Sequence, residues 1–251
     1  MIDVHSHILF GIDDGSTSLE MSLEMLRMAA AHGTERIVAT PHANLDYGFD
    51  PVKVAERWQA LDAVNDTGVI VHLGSDFHLA YEFIEDALNN PRKYTIDGGS
   101  YLLVEFSDFN IPRTTSEIFA SLLRVGMIPV ITHPERNLLL QKRLDELRDW
   151  VGMGCGIQVT AQSLLGDFGS KARKFSETLL DSSLVHVVAS DAHDLANRPP
   201  RLDEAWDCVE EEWSVETANL LFRANPAAIL ASERWAGTPA KRKRGLMSLF
   251  R

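Results

Sequence analysis

Met1-Ile2-Asp3-Val4-His5-Ser6-His7 opens the chain as a short, mostly apolar run ending in two histidines one residue apart. Side chains alternate along a strand with period two, so His5 and His7 share a side. Where such a strand gives way to a loop, the pair can chelate one metal ion through neutral imidazole nitrogens. Gly11-Ile12-Asp13-Asp14-Gly15 follows and offers hard carboxylate oxygens at the same strand end. A short apolar strand that ends in metal-competent side chains is the unit from which the rest of the chain is built.

The unit returns along the sequence. Arg36-Ile37-Val38-Ala39-Thr40 runs into Pro41-His42, and Val69-Ile70-Val71-His72-Leu73-Gly74 into Ser75-Asp76-Phe77-His78. Tyr101-Leu102-Leu103-Val104 ends in Glu105, and Ile128-Pro129-Val130-Ile131-Thr132 in His133-Pro134-Glu135-Arg136. Gly156-Ile157-Gln158-Val159-Thr160 is a further strand, and Val185-His186-Val187-Val188-Ala189 ends in Ser190-Asp191-Ala192-His193. Between them the apolar spacing predicts helices over 19–32, 51–65, 81–88, 115–125, 144–153 and 171–180, with three more over 202–211, 215–224 and 226–232. Continuously apolar strands alternating with helices indicate a parallel sheet covered by helices. Seven such units in one chain of 251 residues suit a single (β/α)7 TIM-like barrel of α/β class better than two domains. The domain is expected to span 1–235, with 236–251 as a separate C-terminal tail.

Composition limits the function classes. The apolar fraction is 45% and the charged fraction 24%, ordinary for a globular protein. A formal net charge of −12 argues against broad nucleic-acid binding, which needs a basic face. Cys155 and Cys208 are the only cysteines, so a disulfide framework is not expected and a reducing compartment fits. No long uncharged apolar run and no leader pattern is visible, and the chain reads as cytoplasmic. The tail differs: Lys241-Arg242-Lys243-Arg244 precedes Leu246, Met247, Leu249 and Phe250. It reads as a solvated basic tail, or as a contact for anionic lipid or an acidic partner.

The chemistry lies in where the metal-competent residues fall. His5, His7, Asp14, His42, Asp76, Glu105, His133, Asp191 and His193 all sit at or just after the C-terminal ends of expected strands. In a (β/α) barrel those ends converge on one mouth, where such folds build their active sites. Five histidines with several carboxylates exceed what one zinc ion needs, so two or three ions with bridging carboxylates are expected. Arg136 and Arg198 follow His133 and His193, and a guanidinium fork at a metal mouth suits a phosphate group. The other histidines read differently. His32 is a helix-end residue favoured by the macrodipole, His72 and His186 are packing or surface residues within strands, and His78 is left open.

These motifs resemble the PHP (polymerase and histidinol phosphatase) superfamily. The likeness is strongest to the manganese-dependent protein-tyrosine phosphatases of capsule and exopolysaccharide loci, the CpsB/CapC type. It rests on Asp3-Val4-His5-Ser6-His7, Asp13-Asp14-Gly15, Ala39-Thr40-Pro41-His42, Val104-Glu105-Phe106, His133-Pro134-Glu135-Arg136-Asn137 and Ser190-Asp191-Ala192-His193. The resemblance covers about 1–235 and implies a distorted (β/α)7 barrel, the PHP fold. It implies three metal sites: His5, His7 and Asp191; Glu105 and His133; and Asp14, His42 and His193. A carboxylate would bridge the first two. The family has Glu at that bridge, whereas the matching residue here is Asp76, one methylene shorter.

The resemblance further implies Mn²⁺, with Fe, Zn, Co or Mg as substitutes, and Arg136 and Arg198 as phosphate-binding residues. The implied substrate is phosphotyrosine on protein, above all on a bacterial tyrosine autokinase that controls polysaccharide synthesis. A histidinol-phosphate or other small phosphomonoester phosphatase stays open, as does a non-catalytic metal-binding regulatory module. Cysteine-based phosphatase chemistry is excluded by the sequence itself. It needs an arginine six residues after the nucleophilic cysteine, and those positions hold Ala161 and Ser214.

Overall fold

Both faces of each central strand are apolar, so the strands must be covered on both sides, and the fold follows from that demand. The computed structural model describes residues 1–239, and the basic stretch from Lys241 onward lies outside the described residues. Strands β1 (Ile2–Ser6), β2 (Arg36–Ala39), β3 (His42–Ala43), β4 (Ile70–Leu73), β5 (Asp76–His78), β6 (Tyr101–Glu105), β7 (Ile128–Thr132), β8 (Gly156–Thr160) and β9 (Val187–Ala189) form two sheets. The first has the order β1-β2-β4 and the second the order β3-β5-β6-β7-β8-β9. Every pairing between named strands is parallel.

Two of the expected strands are each broken in two. β2 and β3 are separated by Thr40-Pro41, and β4 and β5 by Gly74-Ser75. Pro41 has no N–H to give to a ladder, although its carbonyl still accepts from Asp76 N at 3.1 Å. Gly74 sits where a side chain would crowd Ile96 and Val38. Each break moves the chain from one sheet to the other, and the segment 76–78, which follows the expected strand 69–74, forms a strand of its own. The first and last strands also meet: a parallel bridge joins Ser6 to Ala192. Asp191 N donates to His5 O at 2.9 Å and His7 N to Ala192 O at 2.8 Å.

Helices α1 (Leu19–Ala31), α2 (Pro51–Asp62), α3 (Tyr81–Asn89), α4 (Thr115–Arg124), α5 (Leu144–Met153), α6 (Ala161–Leu165), α7 (Gly169–Asp181), α8 (Asp203–Glu212), α9 (Val215–Asn219) and α10 (Asn225–Leu230) fill the connections. Local chemistry sets their ends. The Ser18 side chain accepts from Met21 N at the start of α1. Asp50 accepts from Val52 and Lys53 at the start of α2, where Pro51 occupies the first turn. Met25, Leu26 and Ala29 bury one stripe of α1. The short α6 was not foreseen, because a five-residue helix carries too little periodicity to read. The helix expected over 215–224 ends at Asn219 and continues as a π-helical turn, Leu220–Ala224, into α10.

The core lies between the sheets and the helices. Ile8, Met25, Leu26, Ile37 and Leu61 pack β1 and β2 against α1 and α2. A larger cluster runs from Phe77 through Leu102, Trp150 and Val159 to Phe222. A third joins both sheets, bringing Ile2, Val4 and Val38 together with Leu103, Val130, Val187 and Ile229. Residues 236–239, grouped with the tail by sequence, make hydrogen bonds to this body: Ala236 N to Asn225, Asn225 to Gly237 O, and Ser183 to Pro239 O. Among the described residues no helix is long and apolar enough to cross a membrane.

Candidate metal centre

The strand ends of both sheets bring nine donor residues to one place. His5 Nε2 lies 3.3 Å from His7 Nε2 and 3.3 Å from Asp191 Oδ1, and His7 Nε2 lies 3.4 Å from the same oxygen. Asp76 Oδ2 is 3.6 Å from His5 Nε2 and 3.4 Å from His42 Nδ1. Glu105 approaches His42 Nδ1 at 3.5 Å and His133 Nε2 at 3.9 Å. Asp14 Oδ1 lies 3.3 Å from His42 Nε2 and 3.5 Å from His193 Nε2. These atoms form four overlapping groups compact enough for an ion: His7-Asp14-His42-His193, His5-His7-Asp76, His5-His133-Asp191 and His42-Asp76-Glu105.

A neutral imidazole coordinates through one nitrogen, so His42 cannot serve two groups at once. Its Nε2 faces Asp14 and its Nδ1 faces Asp76 and Glu105. If Nε2 is the ligand, Nδ1–H is left to donate to the carboxylates. Asp76 therefore stands between two groups of donors, the position a bridging carboxylate needs, although it is shorter than Glu. Glu105 lies closer to His42 than to His133, a neighbour the motif reading had not paired with it.

The histidines are held from behind. His5 Nδ1 meets Gln158 Oε1 at 2.9 Å, His7 Nδ1 meets Asp13 Oδ2 at 2.7 Å, and His193 Nδ1 meets Asp191 O at 2.9 Å. Each contact occupies Nδ1 and leaves Nε2 for the centre, as ligating histidines require. Asp13 Oδ2 also accepts from His42 N at 3.0 Å. Gln158 was not among the expected site residues, and Asp13, read from sequence as an oxygen source at the mouth, supports the His7 ring instead. A fully buried Gln within an apolar strand is the signal that could have found the first. Gly15 completes the loop, because a methyl group there would overlap the carbonyl oxygen and Cβ of His7. Two donors also carry backbone strain: His133 has φ +34° and Asp191 φ +52°. Non-glycine residues in that region cost free energy and concentrate at functional sites.

The electrostatics call for cations. Asp76 and Asp191 are almost fully buried, and burying carboxylates without partners is costly. Burial opposes the charge on His5, yet Asp191 and Asp76 outweigh it and raise its pKa to about 9. Burial also opposes the charge on His42, which Asp14 and Asp76 hold up to about 11. Burial and the charge of Asp76 raise the Glu105 carboxyl. His133, buried and beside Arg136, is pushed down to about 3 and stays neutral. Buried His42 Nδ1, Asp76 Oδ2 and His193 Nε2 have no hydrogen-bond partner among the described residues. Orphaned N and O donors aimed into one space, with excess negative charge around them, fit divalent ions of the Mn²⁺ or Zn²⁺ kind.

Arg136 and Arg198 flank the centre and both donate to Asp191 Oδ2. The Arg136 guanidinium lies over the Phe168 ring at 4.4 Å. The buried Nε of Arg198 has no hydrogen-bond partner among the described residues. A cleft lined by Glu105, Thr132, His133, Arg136 and Asn137 opens beside them. Residues expected to stand apart do so. His32 bonds Asp203 at 2.8 Å, His72 bonds Asp97 at 2.6 Å, and His186 is buried at the opposite end of the strands. His78 belongs to none of the donor groups.

The chain is similar to known proteins over nearly its whole length. Residues 1–231 match the family described as capsular polysaccharide synthesis, CpsB/CapC. The chain is 37% identical to CapC of Staphylococcus aureus, with 82% of each chain covered. It is 34% identical to the tyrosine-protein phosphatase YwqE of Bacillus subtilis, covering 97% of this chain and 98% of that one. A solved structure from a study of YwqE and Streptococcus pneumoniae CpsB, described as unique metal-dependent tyrosine phosphatases, superposes with a TM-score of 0.88 at 34% identity. That superposition covers 96% of this chain and all of the other.

Proposed function

Since the chain belongs to the CpsB/CapC family, we propose that it hydrolyses phosphotyrosine on proteins with the help of divalent metal ions. The observation that carries this reading is the convergence of nine N and O donors on one strand-end mouth with two arginines at its edge. When bound, such ions supply Lewis-acid charge and a water-derived nucleophile at neutral pH.

The chain's own residues do the rest. His5, His7 and Asp191, with Glu105 and His133, would hold the first two sites, with Asp76 facing His5 and His42. Asp14, His42 and His193 would hold the third. Asp13 and Gln158 fix the tautomers of His7 and His5 so that both present Nε2. Arg136 and Arg198 turn from Asp191 toward the phosphate oxygens and stabilise charge there in the transition state. Tyrosine is a comparatively good leaving group, with a reference pKa of about 10, so no dedicated general acid is required. A cysteine nucleophile has no place here. Cys155 lies just before β8, at the end of the strand away from the mouth, and burial pushes its thiol up to about 12.

Mn²⁺ is the ion we assign, on the family likeness; the mixed imidazole and carboxylate donors would also accept Fe, Zn or Co. The substrate protein is a bacterial tyrosine autokinase of polysaccharide synthesis, met in the cytoplasm. The two sheets act as one distorted (β/α)7 barrel within a domain ending near 235. The test is hydrolysis of a phosphotyrosine peptide and of histidinol phosphate by chelator-stripped protein, with and without Mn²⁺, with His133→Ala as control. Mn²⁺-dependent release from the peptide, lost in the variant, is expected. Preference for histidinol phosphate would transfer the site to small phosphomonoesters, and turnover of neither would leave only metal binding.

A further inference from the structure

The surface just outside the mouth carries large apolar side chains in solvent. Leu45, Tyr47, Tyr81, Phe109, Leu138 and Leu195 are all exposed, with Phe109 at 95% and Tyr81 at 75%. Each follows a strand end that bears a donor. Leu45 and Tyr47 come after His42, Tyr81 after Asp76, Phe109 after Glu105, Leu138 after His133, and Leu195 after His193. Among the described residues, the three large aromatics that stand exposed are Tyr47, Tyr81 and Phe109, two on these loops and Tyr81 at the start of α3. The opposite end of the strands exposes aliphatic residues such as Ile70, Val125 and Met153 but no aromatic ring among those described. Scattered apolar residues on a surface need no explanation, but aromatics gathered around a site do.

Charge is distributed on the same segments. Asp46 adjoins Tyr47, Glu82 adjoins Tyr81 and Asp108 adjoins Phe109, and all three carboxylates are exposed. The whole chain carries −12, so an acidic partner segment is repelled from the rim and a basic one attracted. The rim is continuous with the centre, because the Tyr47 ring stacks on His42 with centroids 5.8 Å apart and planes 11° apart.

We infer that this rim binds the residues on either side of the phosphotyrosine, and that it selects extended segments with apolar and basic neighbours over segments with acidic ones. The inference rests on the phosphatase reading of the mouth. Aromatic side chains make good anchors because they bury much area at little cost in rotamer freedom. The neighbouring carboxylates add discrimination by repelling the wrong segment.

The experiment uses Mn²⁺-loaded protein and one phosphotyrosine in two peptides of equal length, one flanked by Leu, Phe and Lys and one by Asp and Glu. Free O-phosphotyrosine is the third substrate, and the Tyr81→Ala/Phe109→Ala protein is compared with wild type. Wild type is expected to favour the apolar, basic peptide by about tenfold or more in kcat/KM. The double variant is expected to lose most of that preference through KM while hydrolysing free phosphotyrosine as before. Equal turnover of both peptides by wild type, or a preference that survives the double substitution, overturns the inference. Free phosphotyrosine reports the metal centre alone, and anisotropy of labelled peptides reads the rim without turnover, so the two failures are distinguishable. A dimer in sedimentation that the double variant dissolves, with peptide binding unchanged, would make the rim a self-association face and also overturn it.

Discussion

Two buried histidines at opposite ends of the strands, His186 and His5, behave in opposite ways. His186, just before β9, has apolar company. It packs on Trp235 with ring centroids 4.4 Å apart, and its Nδ1 accepts from Ile157 N at 3.2 Å. Burial alone pushes its pKa down to about 4. His5 is as deeply buried, yet its pKa rises to about 9 because Asp191 and Asp76 outweigh burial. Burial does not by itself decide what a histidine does in this protein; the neighbouring charges also count, so His5 beside Asp191 and Asp76 is pushed up while His133, buried and beside Arg136, is pushed down. One end of the strands is closed by packing. At the other, buried charge and orphaned donors gather on the residues proposed to hold cations.

The sharpest way to break this contrast is to remove a carboxylate from the charged end. Asp191→Asn is expected to lower kcat for a phosphotyrosine peptide by about 10³-fold or more, with bound Mn²⁺ falling in parallel. Full activity with full metal content in that variant would show that the strand-end carboxylates are not the ligands. Gly15→Ala is expected to cost about 10²-fold, since the new methyl group collides with His7 and the misplaced ring loses geometry on which catalysis depends. Structural loss of metal in the variant is checked by elemental analysis. Asp13→Asn keeps the shape but weakens the hold on His7 Nδ1, and a loss of about 10- to 100-fold in metal affinity is expected.

In the apolar core that joins the two sheets the readout changes from activity to stability. Leu103→Ala empties a fully buried position and should lower the unfolding free energy by about 3 kcal/mol. The specific activity of the folded fraction should be retained. The last effect concerns pH and stays small until the pH falls well below 6.5. The folded His186 pKa of about 4 lies below its ordinary value of 6.5, so the unfolded chain binds more protons between the two. The penalty is absent above pH 6.5 and grows as pH falls toward 4, at up to about 1.4 kcal/mol per unit. The stability difference between wild type and His186→Asn, measured by urea unfolding at several pH values, should therefore shrink as pH falls through that window. A difference that is constant with pH would mean that His186 does not titrate in this way.

Much of the fold was legible because each strand is an uninterrupted apolar run and each helix has a stripe at helical spacing. The candidate site was legible because its donors stand where those runs stop. The breaks between β2 and β3 and between β4 and β5 were not, although Pro41 and Gly74 mark them, because one proline or glycine reads equally well as a strand end. Gln158 escaped as a support of His5 because nothing local ties a strand residue to a ring 153 positions away, whereas Asp13, 6 positions from His7, was read as an oxygen source and holds the ring instead. The grouping of Glu105 with His42 depends on β5 lying between β3 and β6, a matter of sheet order that spacing does not carry. The rim aromatics were invisible for a related reason: exposure is a property of the packed chain.

The most direct test of the contrast is anomalous diffraction at the manganese edge from crystals soaked in Mn²⁺. If the mouth is the metal centre, peaks should stand inside the donor groups of His5, His7, His42, His133, His193, Asp14, Asp76, Glu105 and Asp191, with Asp76 between two of them. No peak is expected near His186. Absence of manganese from the mouth at saturating concentration, or binding elsewhere on the chain alone, would contradict the claim that this end of the strands is built to hold metal.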